Sequence, residues 1–308
     1  MGAAGESQEK IVRGLSASAP VAGGVRIWLM VIAAGLWAVP PARAQAPPQP
    51  LVTQSPVTVG AGLVQFTTGM DYGHGRSFPT SGLTGNFWRA PLLTMQIGLG
   101  SRVELQMAGG LHDQLNITSR RPAPLSGAIV GTGNSRTDYD DLTVSTKVQV
   151  AGSATDPRRP AFGVLFGTEL PNAKHYSGLG QDTTDFTVLG LGAVQVGVVR
   201  LIGNLGLGVL GDPLNGHHHE KVMEYGLAAT HAMTRALWIV GEVNGRIDLP
   251  AGPPPPGTED AGEGRLGLRY RRWRGWFGVA AIFGLTPRDP GFGVAASYAF
   301  ALHLFRTS

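Results

Sequence analysis

Residues Asp141 to Val150 read D-L-T-V-S-T-K-V-Q-V. In an extended chain successive side chains point to opposite faces. Leu142, Val144, Val148 and Val150 therefore make one apolar face, and Asp141, Thr143, Ser145, Lys147 and Gln149 one polar face. Segments of this kind recur from Val57 to Phe300, parted by Gly, Pro, Asn and Asp. Two-faced strands repeated in this way predict an all-β protein whose sheet closes on itself, apolar outside and polar inside. That is how an antiparallel β-barrel crosses an outer membrane.

The composition agrees. Charged residues make up 15% of the chain, well below the roughly 25% of an ordinary soluble domain. The hydrophobic fraction is 43% and the mean hydropathy only +0.04, because a barrel needs apolar residues at every second position alone. There is no Cys, which excludes disulfides, thiolate metal ligation, a Cys nucleophile and a lipidated amino-terminal Cys. The formal net charge is +4, and Lys10, Arg13, Arg26 and Arg43 against Glu6 and Glu9 carry half of it. What remains is too near neutral to attract nucleic acid.

Ile27 to Val39 is an apolar run preceded by Arg26 and followed by Pro40, Pro41 and the triplet Ala42, Arg43, Ala44. These are the three parts of a secretory signal peptide, with cleavage expected after Ala44. The run is too short to span a bilayer, which takes about 20 residues. Residues 1–44 are therefore expected to be an export signal with a long polar lead, Met1 to Gly24. Residues 45–56, rich in proline, are expected to form an extended periplasmic leader, and residues 57–308 the barrel.

Twelve strands are predicted: 57–69, 85–98, 102–111, 139–151, 161–170, 184–197, 199–210, 221–230, 236–247, 263–270, 275–285 and 291–300. Their connectors alternate in length. Those after Gly98, Gly197, Thr230 and Tyr270 are tight, whereas 71–84, 112–138, 171–183, 211–220 and 248–262 are long, with one moderate exception at 152–160. Short turns at the periplasmic end and long loops outside are the habit of bacterial barrels. A soluble β-sandwich gives no reason for the alternation. Trp273, Trp276, Phe277, Tyr298, Phe300 and Phe305 suit the aromatic belts at a membrane interface. Arg269, Arg271, Arg272 and Arg274 fall in a tight turn beside that belt, where lipid headgroups explain them better than nucleic acid.

Ionisable groups at bilayer depth are tolerated only toward water or partners. Glu104, Asp141, Lys147, Glu169, Glu242, Arg246, Arg265 and Arg269 are accordingly expected to line the lumen and the solute path, together with Gln106, Gln149, Asn244 and Glu263. The competing explanation is that they merely solvate and brace the interior. His217, His218 and His219 are a weak metal candidate, led by His217 and His219, because adjacent histidines on an extended chain point apart. Asp138, Asp140 and Asp141 lack the spacing of a calcium loop. No G-x-S-x-G stands in the chain, no Ser, His and acid set is spaced for a shared site, and His231 falls by a short turn. No cofactor is expected.

Asp141 to Lys147, G-T-E-L-P-N-A-K-H-Y-S-G-L-G at Gly167 to Gly180, D-T-T-D-F at Asp182 to Phe186 and G-V-A-A-S-Y-A-F at Gly293 to Phe300 resemble one bacterial group of outer-membrane barrels. It is the family named for the meta-cleavage pathway of phenol degradation. Its members show G-D-x-x-x-x-x-K, L-P-x-G, G-x-G-x-x-D-F and a closing G-x-x-Y-x-F. Here Asp140 stands in place of the Gly before Asp141, and Arg306, Thr307 and Ser308 follow Phe305. The resemblance implies passage of small, often aromatic, compounds and assigns no catalytic residue.

Together these readings predict a monomeric barrel of about twelve strands in the outer membrane, placed there by the insertion machinery and surrounded by its lipids. They predict a passive channel for uptake or efflux of small organic solutes, aromatic or hydrophobic ones included, not an enzyme, narrower than a general porin and partly plugged by His112 to Asp138. Two alternatives stay open: a barrel enzyme acting on lipid or ester at the outer rim, and a barrel whose loops bind partners.

Overall fold

A computed structural model describes residues 50–304 except 154, 155, 157, 217 and 251, all within one compact unit, Pro41–Ser308. The expected signal peptide and Phe305 lie outside the described residues. The strands are β1 (Leu63–Phe78), β2 (Leu83–Gly98), β3 (Val103–Gly110), β4 (Asp113–Arg120), β5 (Ser135–Asp138), β6 (Leu142–Ala151), β7 (Ala161–Leu170), β8 (Asp185–Val196), β9 (Val199–Gly211), β10 (His219–Ala232), β11 (Leu237–Asp248), β12 (Ala261–Arg272), β13 (Gly275–Gly284) and β14 (Phe292–His303).

Twelve of them form a closed antiparallel ring in the order β1, β2, β3, β6 and then β7 to β14. β1 closes it by pairing with both β2 and β14, from Leu63 opposite His303 to His74 opposite Phe292. Closure joins the first strand to the last, and β4 covers the outer half of β2 that β3 does not reach, so the backbone donors and acceptors find partners within the sheet. No described helix is long and apolar enough to cross a membrane.

The alternation read in β6 holds around the ring. Phe162 and Phe166, Val188, Leu205 and Leu207, Leu227, Leu266, Val279 and Phe283 are apolar yet exposed. They stand on the outer face, where only lipid removes them from water. Gln96, Glu104, Lys147, Asn204, Glu242 and Arg269 alternate with such residues along their strands and are buried inside.

β4 and β5 are the two strands the sequence reading treated as loop. They form a hairpin at the end where connectors are long, and β4 pairs with the outer half of β2, from Leu83 opposite Arg120 to Arg89 opposite Asp113. β2 changes partner at Pro91: below it the neighbour is β3, above it Ala90 N–H donates to His112 O and Leu111 N–H to Pro91 O. Leu115 meets Leu83 and Phe87 there, with Phe78, Ile117, Ile129 and Leu179 around them. In the stretch 112–138, expected to plug the lumen in part, β4 and β5 instead form a packed hairpin that extends the sheet from the outer half of β2.

The first strand is displaced from its expected place. Val57 to Val59 alternate like a strand, but Gly60 and Gly62 take φ of +97° and +74°, which turns the chain before β1 begins at Leu63. β1 then runs through Asp71 to Phe78, the stretch expected as a long loop, by way of irregular register at Gly69/Asp71 and Gly73/Arg76. Gly98 allows the turn to close, since a Cβ there would stand 1.7 Å from Gly60 O. Trp276 is also displaced: it points inward, buried, edge-on to Trp238 at 6.4 Å. Trp273 is exposed on the turn beside it, with Arg272 over its ring at 5.6 Å.

Candidate functional site

Residues 50–59 lie inside the barrel, not outside it as a periplasmic leader. A chain with no strand beside it must find partners for its N–H and C=O groups elsewhere, and here the inward side chains supply them. The Glu242 carboxylate accepts three successive amides, from Leu51 (3.1 Å), Val52 (2.8 Å) and Thr53 (3.2 Å). Asn204 accepts from Gln54 N–H at 2.7 Å and donates back to Gln54 O at 2.8 Å. Thr53 Oγ1 meets Asn244 Oδ1 at 2.9 Å, and Arg269 Nη2 donates to Pro50 O at 2.6 Å. Pro50 and Pro56 bring no N–H to be satisfied.

Across the lumen, Thr58 N–H donates to Gln149 Oε1 (3.3 Å) and Val59 N–H to Glu104 Oε2 (2.6 Å). The other oxygen of Glu104 accepts from Gln96 (3.0 Å) and Gln106 (2.7 Å) and pairs with Lys147 Nζ at 2.9 Å. The segment is therefore a strap held from the β3/β6 wall to the β11/β12 wall by two carboxylates.

On the long-loop side of the strap is a cavity of about 680 Å³, with Val52 and Gln54 in its floor. The eight residues expected along the lumen divide in two. Asp141, Glu169, Arg246 and Arg265 line this cavity. Glu104, Lys147, Glu242 and Arg269 do not; they are buried around the strap they hold. That is a correction to their expected place on an open path, and its cause is the segment lying between them.

Charge is distributed unevenly around the cavity. Asp113, Asp140, Asp141, Glu169 and Asp185 come from the side of β4 to β8, and Arg76, Arg246, Arg265 and Arg288 from the side of β11 to β1. Glu169 and Asp185 stand directly opposite each other in the β7/β8 ladder. Arg265 and Arg76 share Glu263, at 2.7 and 3.4 Å. Arg246 donates to Gly257 O and Glu259 O, and Arg288 to the same carbonyls and to the Glu259 carboxylate at 3.3 Å.

Burial, with Arg246 beside it, pulls Arg288 down to about 10. Burial raises the carboxyl of Asp141 against the Ala173 and Asn172 amides that it accepts at 2.6 Å. Burial, with Asp140 near, raises Asp113 in the loop hairpin to about 7.

His219 is exposed at the start of β10, and His217 lies outside the described residues. Among the described residues no three His, Asp or Glu side chains are grouped to hold a metal ion. His231 is at the short-turn end, its Nδ1 3.0 Å from Val198 O. The sequence reading missed Asn204, Gln54 and Thr53. Their signal was a polar Asn among the glycines and leucines of β9, and a proline-rich leader that directly precedes the barrel.

No protein-family model matches the chain, and no curated protein matches it in sequence. Its fold is similar to solved outer-membrane barrels. An outer membrane channel from Pseudomonas putida F1 superposes with a TM-score of 0.54 at 11% identity, over 83% of this chain and 100% of that one. The translocator domain of the autotransporter NalP from Neisseria meningitidis gives 0.47 at 12% identity, over 90% and 94%. The first likeness is one of fold: a closed antiparallel barrel.

Proposed function

We propose that this chain is an outer-membrane channel that lets small organic solutes cross by diffusion. The observation that carries the proposal is a closed ring with an apolar outer face around a polar, charged cavity at the long-loop end. An outer face of Phe, Val and Leu needs lipid to cover it, and a polar interior has no use in lipid unless water or solute fills it. The signal-peptide reading of residues 1–44 supplies the route of export, and the barrel insertion machinery the means of assembly. A ring without edges needs no second copy, so the working unit is a monomer.

In this reading solutes enter between the β4/β5 hairpin and the loop 249–260, pass between Arg246 and Glu169, and meet the strap. The strap narrows the way to the periplasm, and flux through it is slower than through a general porin. Phe78, Leu165, Leu179, Leu189 and Leu210 also line the cavity and give an apolar body something to rest on. The resemblance in sequence to barrels linked with phenol degradation supports solutes of that kind.

Liposome swelling with the full chain tests the proposal, after a heat-modifiability gel has established that the barrel is folded. Uptake of sugars and small organic acids or amines above that of empty liposomes is expected. A folded barrel that admits no solute and cleaves ester or lipid would replace the channel with a rim enzyme.

A further inference from the structure

We propose that the cavity above the strap is a binding site for organic cations, amine-bearing solutes with an apolar portion, whose positive groups settle against Asp113, Asp141, Glu169 and Asp185. The inference deepens the channel reading and rests on it for how the solute arrives.

Eight carboxylates line the cavity against four arginines. The arginines are already engaged, with Glu263, Glu259 and the carbonyls of Gly257 and Glu259. On the facing wall the balance is different. Glu169 and Asp185 oppose each other across the ladder, a placement that costs stability for like charges. Asp185 accepts only from Gly211 N–H (2.9 Å) and Thr183 Oγ1 (3.3 Å), and Asp141 only from backbone amides. The Glu169 carboxylate has no hydrogen bond or ion pair among the described residues. Asp113, 4% exposed, keeps Oδ1 without a partner at the cavity wall. Among the described residues of this wall only Asp140 is in an ion pair, with Arg89 at 3.4 Å, while Arg89 acts on Asp113 and Arg246 on Glu169 and Asp185 from farther away.

Carboxyl groups without an ion-pair partner of their own attract positive charge, and a bound cation in turn favours their ionised form. These carboxylates are spread along β4, β6, β7 and β8, and no three are grouped to close on a single metal ion. A molecule with separated positive groups meets several of them at once, and Leu165, Leu189 and Leu210, which line the same cavity, suit the carbon chain that joins such groups. An anion would have to compete with Glu263 and Glu259 for Arg76, Arg265 and Arg288, and with the carbonyls of Gly257 and Glu259 for Arg246.

Isothermal titration of the full chain in detergent with spermidine, with benzoate and calcium chloride run in parallel, tests the inference. Spermidine is expected to bind, and the Glu169→Gln, Asp185→Asn double variant to weaken it roughly tenfold while keeping its heat-modifiability. In the unaltered protein, raising salt from about 50 to about 500 mM should weaken the same binding by screening. Benzoate binding without spermidine binding would overturn the inference. So would calcium binding more tightly than spermidine and lost in the double variant, or spermidine binding indifferent to both the variant and salt. Liposome flux separates the two readings: flux without spermidine binding removes the site and leaves the channel, and binding by a sealed barrel removes the channel and leaves the site.

Discussion

Lys147 and Glu104 meet at 2.9 Å between β6 and β3, and neither side chain has any exposed surface. Two charges withdrawn from water offset their desolvation only while both are present. Glu104 also accepts from Gln96, Gln106 and the amide of Val59, so the pair joins the barrel wall to the strap. Lys147→Met is expected to destabilise the barrel by about 3–5 kcal/mol, because it leaves a buried carboxylate without a cation. Adding Glu104→Gln should restore most of that loss. The unfolding midpoint in urea, followed on a heat-modifiability gel, measures both variants; equal midpoints for the single and double variants would contradict the account.

Glu242 is the other anchor. Hydrogen bonds to a charged acceptor contribute about 1.5–3 kcal/mol each, and Glu242 accepts three from consecutive residues. Glu242→Ala should therefore unseat residues 51–53 while leaving the ring closed. The chain has no Cys, so one placed by Thr53→Cys, at a position 2% exposed, reports on the strap without background. Maleimide labelling of that thiol is expected to rise at least roughly tenfold when Glu242→Ala is added, and conductance to rise with it. Unchanged labelling would mean that the strap is held elsewhere.

The β4/β5 hairpin should respond to pH. Asp113 faces Asp71 from β1, Arg89 from β2, Asp138 from β5 and Asp140 before β6, and burial with Asp140 lifts its carboxyl to about 7. An acid whose folded value lies above its ordinary one favours the folded hairpin when protonated. That advantage is complete below about pH 4, falls as pH rises to about 7 and does not change further above it. Amide exchange in β4, corrected for intrinsic rates, is expected to show protection declining across that window. Asp113→Asn should remove the decline, and a pH-independent profile in the unaltered protein would exclude Asp113 as its source.

Much of the ring is legible in the chain. The period of two in β6, β11 and β12 places Lys147, Glu242 and Arg269 on the inner face because an extended backbone admits no other alternation. The connector lengths separate one end from the other for the same geometric reason. β1 was not legible. Val57 to Val59 look like a strand, and Met70 to Phe78 look like a loop, because glycine reads as an interruption wherever the register of a neighbour is unknown. The β4/β5 hairpin was hidden similarly: Asp113 to Arg120 alternates weakly, and its place comes from the outer half of β2 offering an unpaired edge.

By itself the sequence determined the closed sheet, its two faces and the identity of the inward charges, since these depend on local periodicity. Only the tertiary structure decided which of those charges meet solute and which hold the strap. Nothing in the pattern of residues 50–59 announces which side chains hold them. Their seat on Glu242, Asn204 and Glu104 depends on strands up to 191 positions away, brought together only when the ring closes.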